Sequence, residues 1–359
     1  MKIKLLKRGE EKAWDAYVQK HSESTLCHLS GWRNVIENTY GHRSYYLVAE
    51  NDGPGIAGVL PLVHIKSIFF GNSLVSMPFL NYGGFLAENQ QAGELLLKEA
   101  KRLCGEIGVK NIELRHIDPV SWLDAKGWES SEGPPSISQG IRKVRMLLDL
   151  PESSAKLFES FKSKLRSQIR KPQKEGLVAF IGGADLLGDF YHVFSINMRD
   201  LGSPVHAKRL FENMIIEFGD SVKLGIVKHN KIPTAAGLIF CFRDVVEIIW
   251  ASSLREYNHL SPNMLLYWSI LQHVTDSGYR YFDFGRSTPD EGTYKFKEQW
   301  GAKPRQLHWY NISSRDRVVN LVNANMDSDL FSFAVAMWKK IPLAAANILG
   351  PIIRKSISL

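Results

Sequence analysis

The order of elements along this chain repeats itself, and that restricts the fold more than any other feature. Residues 45–65 read Tyr-Tyr-Leu-Val-Ala-Glu, a polar turn with two glycines, then Ile-Ala-Gly-Val-Leu-Pro-Leu-Val-His-Ile. Residues 222–242 read Val-Lys-Leu-Gly-Ile-Val, a polar turn, then, after Thr234, Ala-Ala-Gly-Leu-Ile-Phe-Cys-Phe. Each is a β-hairpin signature with an Ala-Gly-apolar second strand. A further strand and a helix are expected after both. The first helix spans 94–107, with Leu96, Ala100, Leu103 and Ile107 at helical spacing; the second spans 263–275, with Leu266, Ile270 and Val274. Gly108 and Gly278 stand where a C-terminal cap belongs. A strand follows each, Asn111–Arg115 and Tyr281–Phe284. Hairpin, strand, helix, strand, twice over, predicts two α/β domains of one kind with mixed sheets.

We place the domains at 1–150 and 151–325, with an amphipathic tail at 326–359. The Glu132-Gly-Pro-Pro-Ser-Ile-Ser138 stretch reads as a loop inside the first domain's last hairpin, because the strand-like Val144–Leu150 follows it. A length of 359 residues is enough for two cores. With 44% hydrophobic and 23% charged residues the chain is globular rather than disordered. The net charge of +8 suits phosphates, RNA or an acidic membrane face without choosing among them. Cys27, Cys104 and Cys241 are odd in number and far apart, which argues against a disulfide framework and a zinc site; Cys104 falls in an apolar helical pattern and is expected in the core. The N-terminal residues lack the apolar run of a signal peptide, and no stretch reaches 18 uninterrupted apolar residues. A cytoplasmic protein is expected.

The densest cluster of functional residue types is Phe282-Asp-Phe-Gly-Arg-Ser-Thr-Pro-Asp-Glu-Gly-Thr-Tyr-Lys-Phe-Lys-Glu-Gln-Trp-Gly-Ala302. A strand ending at Gly285 delivers Asp283 and Arg286 into a polar loop, a common way to build a site; a salt-bridged surface connection is the alternative. This stretch resembles the C-terminal signature of the FemAB-related proteins, a branch of the GNAT-like acyltransferase superfamily. It is most similar to the subgroup that accompanies exosortase/PEP-CTERM exopolysaccharide systems in bacteria. Gly41-His-Arg-Ser-Tyr-Tyr46, Gly58–Val63, Phe70–Ser76, Lys164-Leu-Arg-Ser-Gln-Ile-Arg170 and Arg199-Asp-Leu-Gly-Ser-Pro204 agree in the same order, so the resemblance runs from about residue 30 to about 312. It implies tandem GNAT-like domains and transfer of an acyl or aminoacyl group to an amine of a cell-envelope or exopolysaccharide precursor. The cleft is expected mainly in the second domain. The donor would be acyl-CoA or aminoacyl-tRNA, with no tightly bound cofactor, no metal and no DNA partner. A catalytically silent glycan- or precursor-binding protein on the same fold is the alternative, and an RNA-binding module is a third.

Acyl transfer needs a base for the acceptor amine and N–H donors for the oxyanion, which a strand bulge can supply. Asp283 and Glu298 are the favoured carboxylates, and Tyr257 is the group to protonate the leaving group; Asp283 as a mere loop anchor is the competing reading. Asn81, Tyr82 and Gly83 lie in a Gly-rich loop that the resemblance turns toward the acceptor, against a tight turn needing positive φ. Lys162, Arg166 and Arg170 share one helical face suited to phosphate, against a solvated face. Arg199 and Ser203 end a helix near the second cleft. Ser261 is expected to cap the helix that starts at Pro262–Asn263, where GNAT enzymes carry a Gly-rich pyrophosphate turn. Here Arg255 is present, the glycines are missing, and Tyr257, Asn258 and Asn263 stand instead. Lys295 and Lys297, read as strand residues, would share a face for phosphate or solvent, with Trp300 packing or binding. The apolar tail, broken at Pro342 and Pro351, reads either as a helix folded back on the core or as an interfacial membrane helix.

Overall fold

The computed structural model describes residues 1–67, 71–125, 143–313 and 329–358. The Pro-Pro stretch at 132–138 lies outside them. The chain forms two compact units. One comprises Met1–Lys143 with Gln306–Asn325 and Lys355–Leu359, the other Val144–Arg305 with Met326–Arg354.

The first unit contains β1 (Lys2–Leu5), α1 (Glu11–Lys20), α2 (Trp32–Tyr40), the hairpin β2 (Ser44–Glu50) and β3 (Ile56–Ser67), β4 (Gly71–Val75), the short β5 (Leu86–Ala87), α3 (Gln90–Ile107), β6 (Asn111–His116) and α4 (Ser121–Ala125). Its sheet runs β1-β2-β3-β4-β6 and ends on a late strand, β14 (His308–Ser313), with β5 beside β3. The pair β4 and β6 is parallel and the others are antiparallel. Helix α3 forms where the repeat put it. The Asn89 side chain accepts from the Ala92 amide at 3.0 Å, Gly108 closes the helix at φ +68°, and Leu96, Leu97, Ala100, Leu103 and Cys104 face the sheet.

The second unit opens with β7 (Val144–Asp149), α5 (Ser154–Ser160), α6 (Ser163–Lys174), β8 (Val178–Gly182), α7 (Leu187–Leu201) and α8 (Lys208–Phe218). The second hairpin, β9 (Val222–His229) and β10 (Ile232–Phe242), leads to β11 (Val245–Ser253), α9 (Pro262–Asp276), β12 (Tyr281–Ser287), α10 (Gly292–Glu298) and β13 (Lys303–Gln306). The sheet order is β13-β7-β12-β11-β10-β9-β8. Helix α9 is buried nearly all round by residues from Met264 to Val274 and forms the centre of this core. The tail helices α11 (Asp329–Trp338) and α12 (Leu343–Arg354) belong to this unit.

Three expectations about local structure fail. The segment 144–150 was expected in the first domain, yet β7 pairs with β12 of the second sheet, because Val144, Met146 and Leu148 alternate into the second core. In return β14, with Tyr310 and Ile312, fills the first. Lys295 and Lys297 lie on α10 rather than a strand, so their side chains diverge: Lys295 is exposed and Lys297 is buried one turn from buried Trp300. Ser261 makes no side-chain cap; it holds φ +57° instead.

Candidate functional site

The second sheet opens where its one parallel pair parts. Strands β11 and β12 are in register at Val245/Tyr281, Val246/Phe282 and Glu247/Asp283, and no further rung follows. In open α/β sheets, the crevice beyond the carboxyl ends of parallel strands is where ligands bind. Both strands are irregular at this point. On β11 the register against β10 jumps from Leu238/Trp250 to Ile239/Ile248, so Ile249 stands outside the ladder as a bulge. On β12, Phe284 and Gly285 together oppose Met146 of β7. Gly285 takes φ +71°, a conformation that glycine adopts without Cβ strain. The strand therefore continues past Gly285 to Ser287 rather than stopping there.

Around this fork the sheet buries charge. Asp283 is engaged at both oxygens: Arg145 Nε donates to Oδ2 at 2.6 Å, and the Gly285 amide donates to Oδ1 at 2.8 Å. Lys297, reaching in from α10, donates to the carbonyl oxygens of Arg286 at 2.8 Å and Gly285 at 3.3 Å. Burial lowers the Lys297 ammonium to about 8, with Asp283 and Glu247 opposing that shift and Arg286 adding to it. Glu247 is buried, and Ser287 Oγ is buried without a hydrogen-bond partner. The cluster joins two carboxylates, an ammonium and two guanidinium-bearing residues on four elements. Among the sequence candidates it brings together Asp283, Arg286 and Lys297. It adds Arg145 and Glu247, which sequence reasoning missed. Arg145 follows Val144 in an alternating strand, and nothing local marks β12 as its partner. Glu247 in the Val-Val-Glu-Ile-Ile run was the available signal, a carboxylate inside an apolar strand.

The other candidates lie elsewhere. Glu298 is exposed at the end of α10, and Trp300 is core, packed edge-on against Phe161 at 5.5 Å. Tyr257 is half-buried in the 3-10 turn Arg255–Leu260; a hydrogen bond with Glu256 raises its phenol. Asn263 sits in the first turn of α9. Arg199 donates twice to Asp200, at 2.7 and 2.9 Å, and the Ser203 amide closes α7 on the Met198 carbonyl. In the first unit Tyr82 is buried. Of the two glycines in this loop Gly83 does not have positive φ, and the positive φ of the turn reading falls on Gly84; a Cβ at Gly83 would sit 2.0 Å from the Ser76 carbonyl oxygen. Its neighbour Gly84 has φ +88° and lies against the His116 ring. Gly83 also borders a cavity of about 260 Å³ with His28, Phe85, His116, Asp118 and Trp122, while Asn81 does not line it.

Helix α6 presents the expected amphipathic split. Leu165 and Ile169 are buried, while Arg166, Arg170, Lys171 and Lys174 line an open groove of about 320 Å³ with Ser163, Ser167 and Glu175. Lys171 donates to the His259 carbonyl at 2.6 Å, which sets this basic face beside the turn that leads into α9. The free amides at a helix start favour anions. Among the described residues no cluster of three or more His, Cys, Asp or Glu has metal-binding geometry.

Comparison with known proteins bears on the fold and on the family. Residues 159–298 match the model of the acetyltransferase (GNAT) domain. The chain is 21% identical, over 379 aligned positions, to a lipid II:glycine glycyltransferase of Staphylococcus saprophyticus, covering 81% of this chain and 88% of that protein. The FemX crystal structure superposes with a TM-score of 0.66 at 17% identity, covering 87% of this chain and 97% of that one. A tandem GNAT protein from the clavulanic acid biosynthesis pathway superposes with a TM-score of 0.53 at 11% identity, covering 88% and 99%. The chain thus carries a GNAT-like acyltransferase domain within a tandem GNAT fold, and is similar to a lipid II:glycine glycyltransferase in sequence and to FemX in fold.

Proposed function

We propose that this acyltransferase moves an acyl or aminoacyl group onto an amine of a cell-envelope or exopolysaccharide precursor, and that the fork of the second sheet is its reacting centre. One observation carries the reading: a buried lysine, lowered to about 8, stands beside an ion-paired aspartate where two parallel strands separate. A group buried and tuned in this way is costly to keep for structure alone. Below pH 8 Lys297 is an ammonium whose two backbone contacts leave one N–H to give. It would stabilise the oxyanion of the tetrahedral intermediate as the amine adds to the donor carbonyl. Asp283, held by Arg145 and the Gly285 amide, is then a positioning residue. It fixes the bulge whose carbonyls orient Lys297. Tyr257 and Glu298, both reached by solvent, are the groups proposed to exchange protons with leaving group and acceptor.

The donor is proposed to lie along α6, with its phosphates on Arg166, Arg170, Lys171 and Lys174 and toward the first turn of α9. Acyl-CoA and aminoacyl-tRNA are both phosphate-rich, and GNAT domains generally use the first. The glycyltransferase relative acts on lipid II, as its name states, which makes a lipid-linked glycan precursor the acceptor to test first.

The test is transfer itself. Purified protein is offered labelled acetyl-CoA or labelled aminoacyl-tRNA with lipid-linked and soluble amine acceptors. Transfer from either donor that Lys297→Ala lowers by about a hundredfold or more supports the assignment; transfer at the wild-type rate in the substituted protein refutes it. A silent precursor-binding protein remains a second reading, because residues 254–263 hold none of the glycines of a pyrophosphate turn. It predicts acceptor binding without turnover from either donor.

A further inference from the structure

The tail helices α11 and α12 each turn a small contact inward and large apolar side chains outward. On α12, Ala346 and Gly350 face the unit; a Cβ at Gly350 would meet the Val205 amide at 2.9 Å. Arg354 ties the same helix down by donating to Nε2 of buried His206 at 2.9 Å. On α11, Val335 packs over Gly202, three residues before Val205. The two helices therefore rest on one loop, the segment after α7.

Among the described residues their opposite faces stay open. On α12, Ile348, Leu349 and Ile352 are 67%, 46% and 58% exposed, and on α11 Phe333 and Met337 are 64% and 48% exposed. Among the described residues, twelve large hydrophobics are this open, and half of them fall between 333 and 353. Such density marks a contact surface rather than scattered exposure. Its charge is mostly of one sign: α11 begins with Asp329, but from Leu330 to Leu359 the sequence has Lys339, Lys340, Arg354 and Lys355 and no acidic residue. No helix of the described residues is long and apolar enough to cross a membrane; α12, with 12 residues, is about 18 Å long against a hydrocarbon core of about 30 Å.

We infer that this face docks on the surface of an anionic lipid bilayer. The outward side chains enter the headgroup–acyl boundary, and Lys339 and Lys340, both exposed, meet acidic headgroups. The inference rests on the two helices and not on the assignment of the transfer reaction. It would bring the enzyme to acceptors carried on lipid.

The experiment is co-sedimentation of the full chain with vesicles of phosphatidylcholine containing phosphatidylglycerol, and with phosphatidylcholine alone. The wild-type chain should bind the anionic vesicles and weaken with added salt. Ile348→Asp with Ile352→Asp replaces side chains that contact solvent, so the fold should survive and its melting curve checks that. This pair should lower the vesicle partition coefficient by about tenfold or more. Lys339→Glu with Lys340→Glu should lower it by at least about tenfold on anionic vesicles only. Transfer to a soluble acceptor is measured in parallel and should not change. No sedimentation of the wild type, or equal sedimentation of the Asp pair, overturns the inference. So does a dimer in light scattering that the Asp pair dissolves, since the face would then belong to a second copy.

Discussion

Both sheets contain one parallel pair at the same place in the repeat, but the two forks are built differently. In the first unit the last parallel rung joins Val75 to Glu113; in the second it joins Glu247 to Asp283. Beyond Val75 the chain itself fills the first fork. The Ser76 amide donates to the Glu113 carbonyl, the Gly83 amide to the Arg115 carbonyl, and the Arg115 amide to Ser76 Oγ. The Arg115 side chain, fully buried, donates to the carbonyls of Met77, Leu80 and Ser358 and pairs with Glu113 at 2.6 Å. In the second unit the corresponding carboxylate, Asp283, reaches across to Arg145 on the antiparallel neighbour, and Lys297 enters from a helix. An arginine whose donors are spent on backbone carbonyls is structural cement. A lysine lowered to about 8 beside an ion pair can change protonation near neutral pH. The repeat gives both halves the same scaffold, but the first fork spends its buried charge on backbone packing, whereas the second is the proposed reacting centre.

The sharpest way to break this comparison is to remove the two buried cations in turn. Arg115→Ala strips three carbonyls and Glu113 of their partner. It should cost about 3–5 kcal/mol of stability, read as a fall in denaturation midpoint. Any acyl transfer that survives in the folded fraction should keep its kcat. Lys297→Ala should do the reverse, lowering kcat by about 10²- to 10³-fold with little change in KM. A first fork whose arginine controlled kcat, or a second whose lysine controlled only stability, would reverse the roles assigned here.

The pH dependence sharpens the contrast at Lys297. Its folded-state value, about 8, lies below the ordinary lysine range. The folded chain therefore binds fewer protons than the unfolded chain between about pH 8 and the ordinary value, and stability should rise with pH through that window. Below pH 8 the buried ammonium is a net burden. Lys297→Met should remove this rise, which parallel denaturation curves at pH 7.5 and about 9.5 would show. Transfer should fall over the same interval if the ammonium form is the working one. An unchanged profile in Lys297→Arg, which stays charged throughout, would count against that role.

Much of the scaffold was legible in the chain and much of the site was not, for separate physical reasons. Hairpins and helices are local, so the spacing of Leu96, Ala100 and Leu103, or of Leu266, Ile270 and Val274, reports them directly. The α6 face was legible for the same reason. Strand partners are not local: the alternation of Val144, Met146 and Leu148 says that one side is buried, but not in which sheet. The loss of Arg145 from the candidate site follows from that. The Lys295/Lys297 reading failed because Tyr-Lys-Phe-Lys alternates like a strand while its inward positions, Lys297 and Trp300, keep helical spacing.

The smallest expected effect separates the two core helices at their starts. The first turn of α3 is occupied by its own chain, since Asn89 caps the Ala92 amide; that of α9 has no side-chain cap. Asn89→Ala should therefore cost about 1 kcal/mol, as removal of an N-cap does. Ser261→Ala should fall within about 0.5 kcal/mol of the wild type, as a side chain without a cap bond to lose. The comparison extends to anions. Added phosphate should raise the midpoint of the wild type and of Asn89→Ala alike, because the proposed donor site lies at α9 and the neighbouring basic face of α6. Arg166→Gln with Arg170→Gln should abolish that rise while leaving the cost of Asn89→Ala unchanged. A phosphate effect that follows Asn89 instead would assign anion binding to the first helix and remove the support for a donor along α6.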